Sequence, residues 1–235
     1  MTNATVTPLD PCHPRRRAAR RLAVFDLDRT LLPGSSLMEL GRALADRHVI
    51  ERTTVARHAV RAAVFARRGL PDTRIARLRE SLLAAAADHD RDELVSVARA
   101  VGPEIASGAY PAARWLIDRH HTAGDICVVL SASPQELVEV VAAELGADRA
   151  VGTRTEVVDG RLTGRLDGPF CHGSGKLERL REELGPVDLA RAVAYADSGS
   201  DLPLLTACGH PVAVNPDRRL REAATSAGWP VLRLG

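Results

Sequence analysis

Aromatic side chains are scarce in this 235-residue chain: Phe, Trp and Tyr together make up 3% of it. A nucleic-acid surface built on stacked rings is therefore not expected, and the core must rest on Ala, Val, Leu and Ile. Cysteine is thin as well. Cys12, Cys127, Cys171 and Cys208 are widely scattered, with no Cys-x-x-Cys pair. That argues against zinc and against a disulfide framework, and for reduced thiols in a cytoplasm. The net charge of +2 is too small to imply a polyanionic partner, and no stable nucleic-acid partner is expected. No apolar run is long enough to cross a membrane.

What is present fits a soluble globular protein, 45% hydrophobic and 26% charged. Its length allows one large domain, or a core with a smaller companion. Residues 1–20 are polar, with Pro8, Pro11 and Pro14 before the run Arg15–Arg21. The start resembles the n-region of a signal peptide, but no apolar segment of sufficient length follows. The reading is a disordered basic tail.

The chain is organised around Leu22-Ala-Val-Phe-Asp26-Leu-Asp28-Arg-Thr30. The apolar run reads as a buried strand of a parallel sheet. Two carboxylates at its end are costly: like charges about 4 Å apart repel by roughly 4 kcal/mol at an effective dielectric near 20. A bound cation is the simplest remedy, and hard oxygen ligands call for Mg²⁺ or a similar ion.

From Pro33 to about Ala106 the pattern is helical. Ser36 with Glu39 fits a capping box. Leu37, Leu40 and Leu44 mark one helix; Val55, Val60 and Val64 a second; Ile75, Leu78, Leu82 and Leu83 a third. Asp90 with Glu93 opens a fourth through Leu94, Val97 and Val101. A helical insertion directly after the first strand reads as a separate cap over the strand ends, residues 34–107. The α/β core then comprises residues 21–33 and 108–235. The cap is rich in arginine (Arg42, Arg47, Arg52, Arg57, Arg61, Arg67, Arg68, Arg74, Arg77, Arg79), either as a solvated face or to reach an anionic substrate.

In the core, residues 112–121 read as a helix with Trp115 and Leu116 packed inward. Asp125–Leu130 reads as a second buried strand. It ends at Ser131-Ala132-Ser133-Pro134-Gln135-Glu136, where Ser133 suits an N-cap, Pro134 the first helical position and Glu136 a capping box. Ser131 thus lies between a strand end and a helix N-terminus, where an anion is favoured. Asp159-Gly160 marks a hairpin. Lys176 opens a helix, the unfavourable end for a cation, which singles it out. Ala192–Ala196 is a further strand, ending in Asp197 and Asp201. Pro211–Val214 is another, Asn215-Pro216-Asp217 opens a last helix, and residues 231–234 add an edge strand.

Strands alternating with helices give an α/β fold, a doubly wound parallel, Rossmann-like sheet with an inserted all-helical cap. Ligands bind such sheets at the C-terminal strand ends, where Asp26, Asp28, Thr30, Ser131, Asp197 and Asp201 all fall. An acid-rich set with one lysine and two hydroxyls suits phosphoryl transfer.

This constellation resembles the haloacid dehalogenase superfamily of aspartate-dependent phosphatases. Asp26-x-Asp28-x-Thr30 matches its first motif, Ser131 its second, Lys176 its third, and Asp197 with Asp201 its fourth. The insertion resembles the C1 cap of the phosphoserine-phosphatase-like branch. Phosphoserine phosphatases carry a substrate-binding Glu about where Ser35 falls here.

The resemblance implies an Mg²⁺-dependent phosphatase working through an aspartyl-phosphate on Asp26, with Asp28 as acid and base. Asp26, Asp197 and Asp28, the last through its backbone carbonyl, would hold the metal. Ser131, Ala132 N–H and Lys176 would bind the phosphoryl group. Asp201 would join that set by orienting Lys176 or through a metal-bound water. Thr30 is expected to hold its loop. The expected partner is a small phosphorylated metabolite, and the expected state a monomer or homodimer. A phosphotransferase or phosphomutase on the same scaffold, and a non-catalytic phosphate-binding module, are the alternatives. A response-regulator receiver would lack the helical insertion.

Overall fold

The computed structural model describes residues 20–49, 80 and 83–234. Strand β1 (Leu22–Asp26) is buried at every residue. Its side chains alternate between two apolar clusters. Ala23 and Phe25 enter one and Leu22 and Val24 the other, as the period of two along a strand requires. A strand so placed has helices on both faces, which is why it reads as an unbroken apolar run.

β2 (Ile126–Pro134), β3 (Arg149–Thr153), β6 (Val193–Ala196), β7 (His210–Val214) and β8 (Val231–Leu232) complete a six-stranded sheet. Its order is β3-β2-β1-β6-β7-β8, with every pairing parallel. The chain leaves β1 for one side and returns to β6 on the other. The switch point that such sheets use for ligands therefore lies at the end of β1.

The first apolar face is covered by α1 (Ser36–Asp46), α2 (Arg91–Ser107), α3 (Pro111–Thr122) and α4 (Gln135–Leu145), through Leu40, Val97, Ile117 and Leu137 among others. The second is covered by α5 (Gly175–Leu184), α6 (Leu202–Ala207) and α7 (Arg218–Ala227), through Leu180, Leu204 and Leu220. A hairpin of β4 (Thr155–Val158) and β5 (Arg161–Leu166) stands apart from the sheet. Its turn has positive φ at both Asp159 and Gly160, the conformation that an Asp-Gly pair favours.

The helical insertion after β1 is present, and its described helices α1 and α2 share the core of the sheet. α2 lies close on α4: a Cβ at Gly102 would run into Val140. Arg91 pairs with Glu136 at 3.1 Å across the same contact. The insertion's exit is gripped by the hairpin, with Asp88 N donating to Leu162 O and Arg91 N to Gly160 O. The helix expected around Val55–Val64 lies outside the described residues, as do Ile75, Leu78 and Leu82 of the third expected helix, residues 1–19 of the tail and the arginines from Arg52 to Arg79. Residues 83–86 are helical. Arg20 donates to Gly124 O and Asp125 O and so joins the core. Among the described residues no helix is long and apolar enough to cross a membrane.

Three local expectations are corrected. Ser36 does not cap α1. It is the first helical residue and fully buried; Ser35 takes the cap position without a side-chain bond, and Glu39 pairs with Arg42. Ser133 does not cap α4 either: Pro134 stands at the cap, no side chain bonds there, and Glu136 turns to Arg91. Trp115 is 56% exposed, lying under the Arg119 guanidinium, while Leu116 alone packs inward. Asp90 does cap α2, accepting from Asp92 N at 2.8 Å.

Candidate active site

Strand register places the acids. Asp26 ends β1 opposite Leu130 of β2, so Ser131 follows one step on; Phe25 is opposite Tyr195 of β6, so Asp197 lies just past Ala196 on the other side. Ser131 and Asp197 thus flank Asp26 because the register of the three parallel strands brings them level with the end of β1. β2 also breaks register with β3 between Leu130 and Pro134. Bulges of this kind re-aim side chains, and the bulged segment is Ser131–Ser133. Thr153 Oγ1 pins it by donating to Ala132 O at 2.8 Å.

Asp26 is held from both sides. Lys176 Nζ donates to its Oδ1 at 2.6 Å and Thr30 Oγ1 to its Oδ2 at 2.8 Å. Thr30 therefore does more than hold a loop: it touches the carboxylate that the first motif presents. Lys176 Nζ also lies 2.7 Å from Asp201 Oδ1. Lys176 reaches the site because α5 begins tightly against the preceding turn; a Cβ at Gly175 would strike Phe170 O. Arg179, fully buried one turn further along, anchors that helix to β3 by donating to Gly152 O at 3.2 Å.

Asp197 and Asp201 are set by the loop after β6. Asp217, the cap of α7, accepts from Gly199 N at 3.0 Å and from Ser198 Oγ at 3.3 Å. Its own N–H donates to Asp197 O. Asp217 was legible as a cap but not as the brace of this loop. Arg29, with a positive φ of 64°, brings its Nε to 3.5 Å from Asp197 Oδ2 and remains half-exposed. Asp28 is turned elsewhere: its Oδ1 accepts from Ser36 N at 2.8 Å, and Ser35 Oγ lies 3.4 Å from its Oδ2.

The electrostatics are one-sided. Three clustered carboxylates, Asp26, Asp197 and Asp201, are set against Lys176 and a half-exposed Arg29. Burial pushes the Asp197 carboxyl up to about 8, and the Asp26 charge adds to it. Burial takes Asp201 to about 6 despite Lys176. It takes Asp28 to about 6 against the opposing hydroxyl and N–H of Ser36. Burial alone would lower the Lys176 ammonium, but Asp201 and Asp26 override it and hold it above its ordinary value.

Ligand oxygens of Asp26, Asp197 and Asp201 lie within 4.8 Å of one another. At that spacing each like-charge pair costs roughly 3 kcal/mol at an effective dielectric near 20. Three buried carboxylates, all hard oxygen donors with an excess of negative charge, fit a divalent cation. The sequence names Asp26, Asp197 and, through its backbone carbonyl, Asp28 for this purpose; Asp201 is the third carboxylate of the cluster, while the carboxylate of Asp28 stands outside it.

The comparisons with known proteins agree with this geometry. The family model of haloacid dehalogenase-like hydrolases matches residues 23–206. The chain is 38% identical over 217 residues to the inhibition of morphological differentiation protein of Streptomyces azureus, covering 91% of this chain and 78% of that one. It is 37% identical over 213 residues to phosphoserine phosphatase SerB1 of Mycobacterium tuberculosis, covering 89% and 69%. A crystal structure of a Bordetella pertussis protein of unknown function superposes with a TM-score of 0.79 at 30% identity, covering 92% of this chain and 99% of that one. The ordered strand-end motifs, the acid cluster with its single buried lysine and the helical insertion after β1 have one common reading: the chain belongs to the haloacid dehalogenase-like hydrolases, in the phosphoserine-phosphatase-like branch, and is a phosphatase acting on small phosphate esters.

Proposed function

We propose that the chain hydrolyses a small alkyl phosphate monoester, with Asp26 as nucleophile, Asp28 as acid and base, and Mg²⁺ as the divalent ion. The observation that carries this reading is the Asp26 carboxylate, buried, gripped by Thr30 and Lys176, and clustered with Asp197 and Asp201. Asp26, Asp197 and the backbone carbonyl of Asp28 would hold the ion, with Asp201 beside them. When bound, Mg²⁺ supplies the positive charge that offsets repulsion between a carboxylate and a phosphate.

In the first half-reaction an Asp26 oxygen attacks phosphorus and the bond from phosphorus to the leaving oxygen breaks. Asp28 passes its proton to that oxygen, releasing an alcohol. In the second, Asp28 takes a proton from water, the water oxygen attacks the aspartyl-phosphate, and inorganic phosphate leaves with Asp26 restored. Lys176, Ser131 Oγ and Ala132 N–H bind the phosphoryl oxygens, Lys176 as a point charge. Asp201 orients Lys176, at 2.7 Å.

Residues 34–107 act as the cap over residues 21–33 and 108–235, and select the substrate. Ser35 stands where phosphoserine phosphatases carry a glutamate. A substrate ammonium therefore finds no carboxylate at that position, which favours alkyl phosphates other than phosphoserine. Free thiols at Cys127, Cys171 and Cys208 support a cytoplasmic setting.

The test is a screen of phosphorylated metabolites for released phosphate, with Mg²⁺ or chelator, and with or without an added alcohol acceptor. Phosphate release that needs Mg²⁺ and no acceptor is expected. Full activity in chelator would remove the metal from the mechanism, and dependence on the acceptor would make the chain a phosphotransferase.

A further inference from the structure

Ser36 and Ser133, which local logic assigns to helix caps, meet each other in the core instead. Their hydroxyl oxygens are 2.8 Å apart although 97 positions separate them. Ser36 is fully buried and Ser133 is 1% exposed. Neither α1 nor α4 has a side-chain cap bond, so neither hydroxyl is spent on a helix end. Each serine also holds a residue of the reaction through its backbone. Ser36 N donates to Asp28 Oδ1 at 2.8 Å, and Ser133 N to Ser131 Oγ at 3.2 Å. An unbroken path, Asp28–Ser36–Ser133–Ser131, thus runs from the end of β1 to the end of β2.

The path has a chemical consequence at Asp28. A neutral carboxyl has one oxygen that only accepts and one that carries the proton. The Ser36 N–H, which can only donate, engages Oδ1 at 2.8 Å and makes it the acceptor; the longer contact at Oδ2, 3.4 Å from Ser35 Oγ, is with a hydroxyl that can accept as well as donate, so the proton falls on Oδ2. The hydroxyl pair secures this choice, because Ser36 opens the inserted segment while Ser133 belongs to the core sheet. Among the described residues this pair is the side-chain hydrogen bond that ties the first turn of α1 to β2.

We propose that Ser36 and Ser133 are positioning residues that act through each other, locking the first turn of the insertion onto β2 so that Asp28 presents Oδ2 to the leaving-group oxygen. The inference rests on the reading of Asp28 as the general acid.

A general acid matters most when the leaving group is a poor one. Turnover of an alkyl phosphate, such as glycerol phosphate, is therefore compared with that of p-nitrophenyl phosphate, whose phenolate leaves without a proton. In Ser36→Ala and in Ser133→Ala, kcat/KM for the alkyl ester, which reports the steps through release of the alcohol and not the later hydrolysis common to both esters, is expected to fall roughly tenfold, a fraction of the full acid contribution. For the aryl ester the fall is about twofold at most, and KM moves little. The double variant should be no worse than either single one, as members of one hydrogen-bonded unit behave. Ser36→Thr, which keeps the hydroxyl, should restore alkyl turnover. Cysteine at either position keeps the volume but bonds weakly, and serves where an alanine variant fails to fold.

Equal loss with both esters, or unchanged alkyl turnover, would overturn the inference. Asp28→Asn in the same assay separates the two levels. If it loses alkyl turnover far more than aryl while the serine variants do not, the inference fails and the acid assignment stands. If Asp28→Asn lowers kcat/KM equally for both esters, the acid assignment falls and takes the inference with it.

Discussion

At the N-terminal edge of the sheet, Asp125 accepts from Arg21 Nη2 at 2.6 Å and pairs with His120 Nδ1 at 2.7 Å, and His120 Nε2 meets the Tyr195 hydroxyl at 2.8 Å. At the C-terminal edge, Asp26, Asp197 and Asp201 crowd around Lys176. Both clusters are buried and lie on the same parallel strands. The first is complete: one carboxylate, one guanidinium and a histidine that bonds the acid through Nδ1 and a phenol through Nε2. Burial works to raise Asp125, but the hydrogen bonds from Arg21 and His120 overcome it and hold the carboxyl below its ordinary value. In the second, burial and mutual repulsion leave Asp197 and Asp201 high. A protein can bury a polar group for stability or for chemistry. Here the sign of the carboxylate shift separates the two uses.

The same contrast separates two groupings of metal-ligating type. His121, Cys127 and Asp148 also cluster. However, Asp148 Oδ2 accepts from Cys127 N and pairs with His121, and the Cys127 thiol donates to Ile117 O while burial pushes it up to about 12. That grouping is satisfied internally; the carboxylate cluster is not.

The largest expected effect strikes the unbalanced end. Asp26→Asn should abolish phosphate release, by at least about 10⁴-fold, while its melting temperature does not fall, because one of the crowded charges is gone. A fall in melting temperature comparable to that of a core variant would make Asp26 structural and erase the contrast. Next, Lys176→Met removes the cation that the acids share. Breaking such a buried pair costs roughly 3–5 kcal/mol, and added Mg²⁺ should return part of it, as measured by denaturant unfolding. Asp125→Asn at the balanced end should cost about 2 kcal/mol, the scale of a charged hydrogen bond, with no recovery on adding Mg²⁺.

Stability against pH should show opposite slopes. Asp125 has a lowered carboxyl, so its contribution is complete above the unfolded value near 3.9 and is lost as pH falls through the folded one. Asp197 is raised, so in chelator its penalty is absent below that unfolded value and grows as pH climbs toward about 8. Chelated protein should thus weaken from pH 5 to pH 8, and Mg²⁺ should flatten that limb. A rise across this window in chelator would contradict the account. The smallest effect belongs to Trp115→Ala, which should shift unfolding by no more than about 0.5 kcal/mol, since the ring lies outside the core.

Much of this was legible in the sequence because strand ends advertise themselves. An apolar run stopping at Asp26, Leu130 or Ala196 identifies the following residues as strand-end chemistry, and the order of the motifs did the rest. What was misread shares one physical cause. Capping logic looks three residues ahead, but the Ser36 hydroxyl finds its partner 97 residues away, and Glu136 finds Arg91 across a helix contact. Thr30 and Asp217 were placed correctly in the chain. Their partners, Asp26 Oδ2 and the loop at Gly199, become visible only once the strands are brought side by side. Trp115 was sent inward on hydrophobicity, although the helix turns Ile117 and Leu116 to the sheet and leaves the indole to Arg119.

The most direct test follows the nucleophile itself. A turnover of a small alkyl phosphate in Mg²⁺ is quenched in acid, and the digested protein is weighed for a phosphoryl group. A phosphoryl group on the peptide carrying Asp26, released by hydroxylamine and absent from Asp26→Asn, is the predicted result. Steady turnover with no phosphoryl group on that peptide, or with one on another residue, would contradict the assignment of the unbalanced cluster to aspartyl-phosphate chemistry.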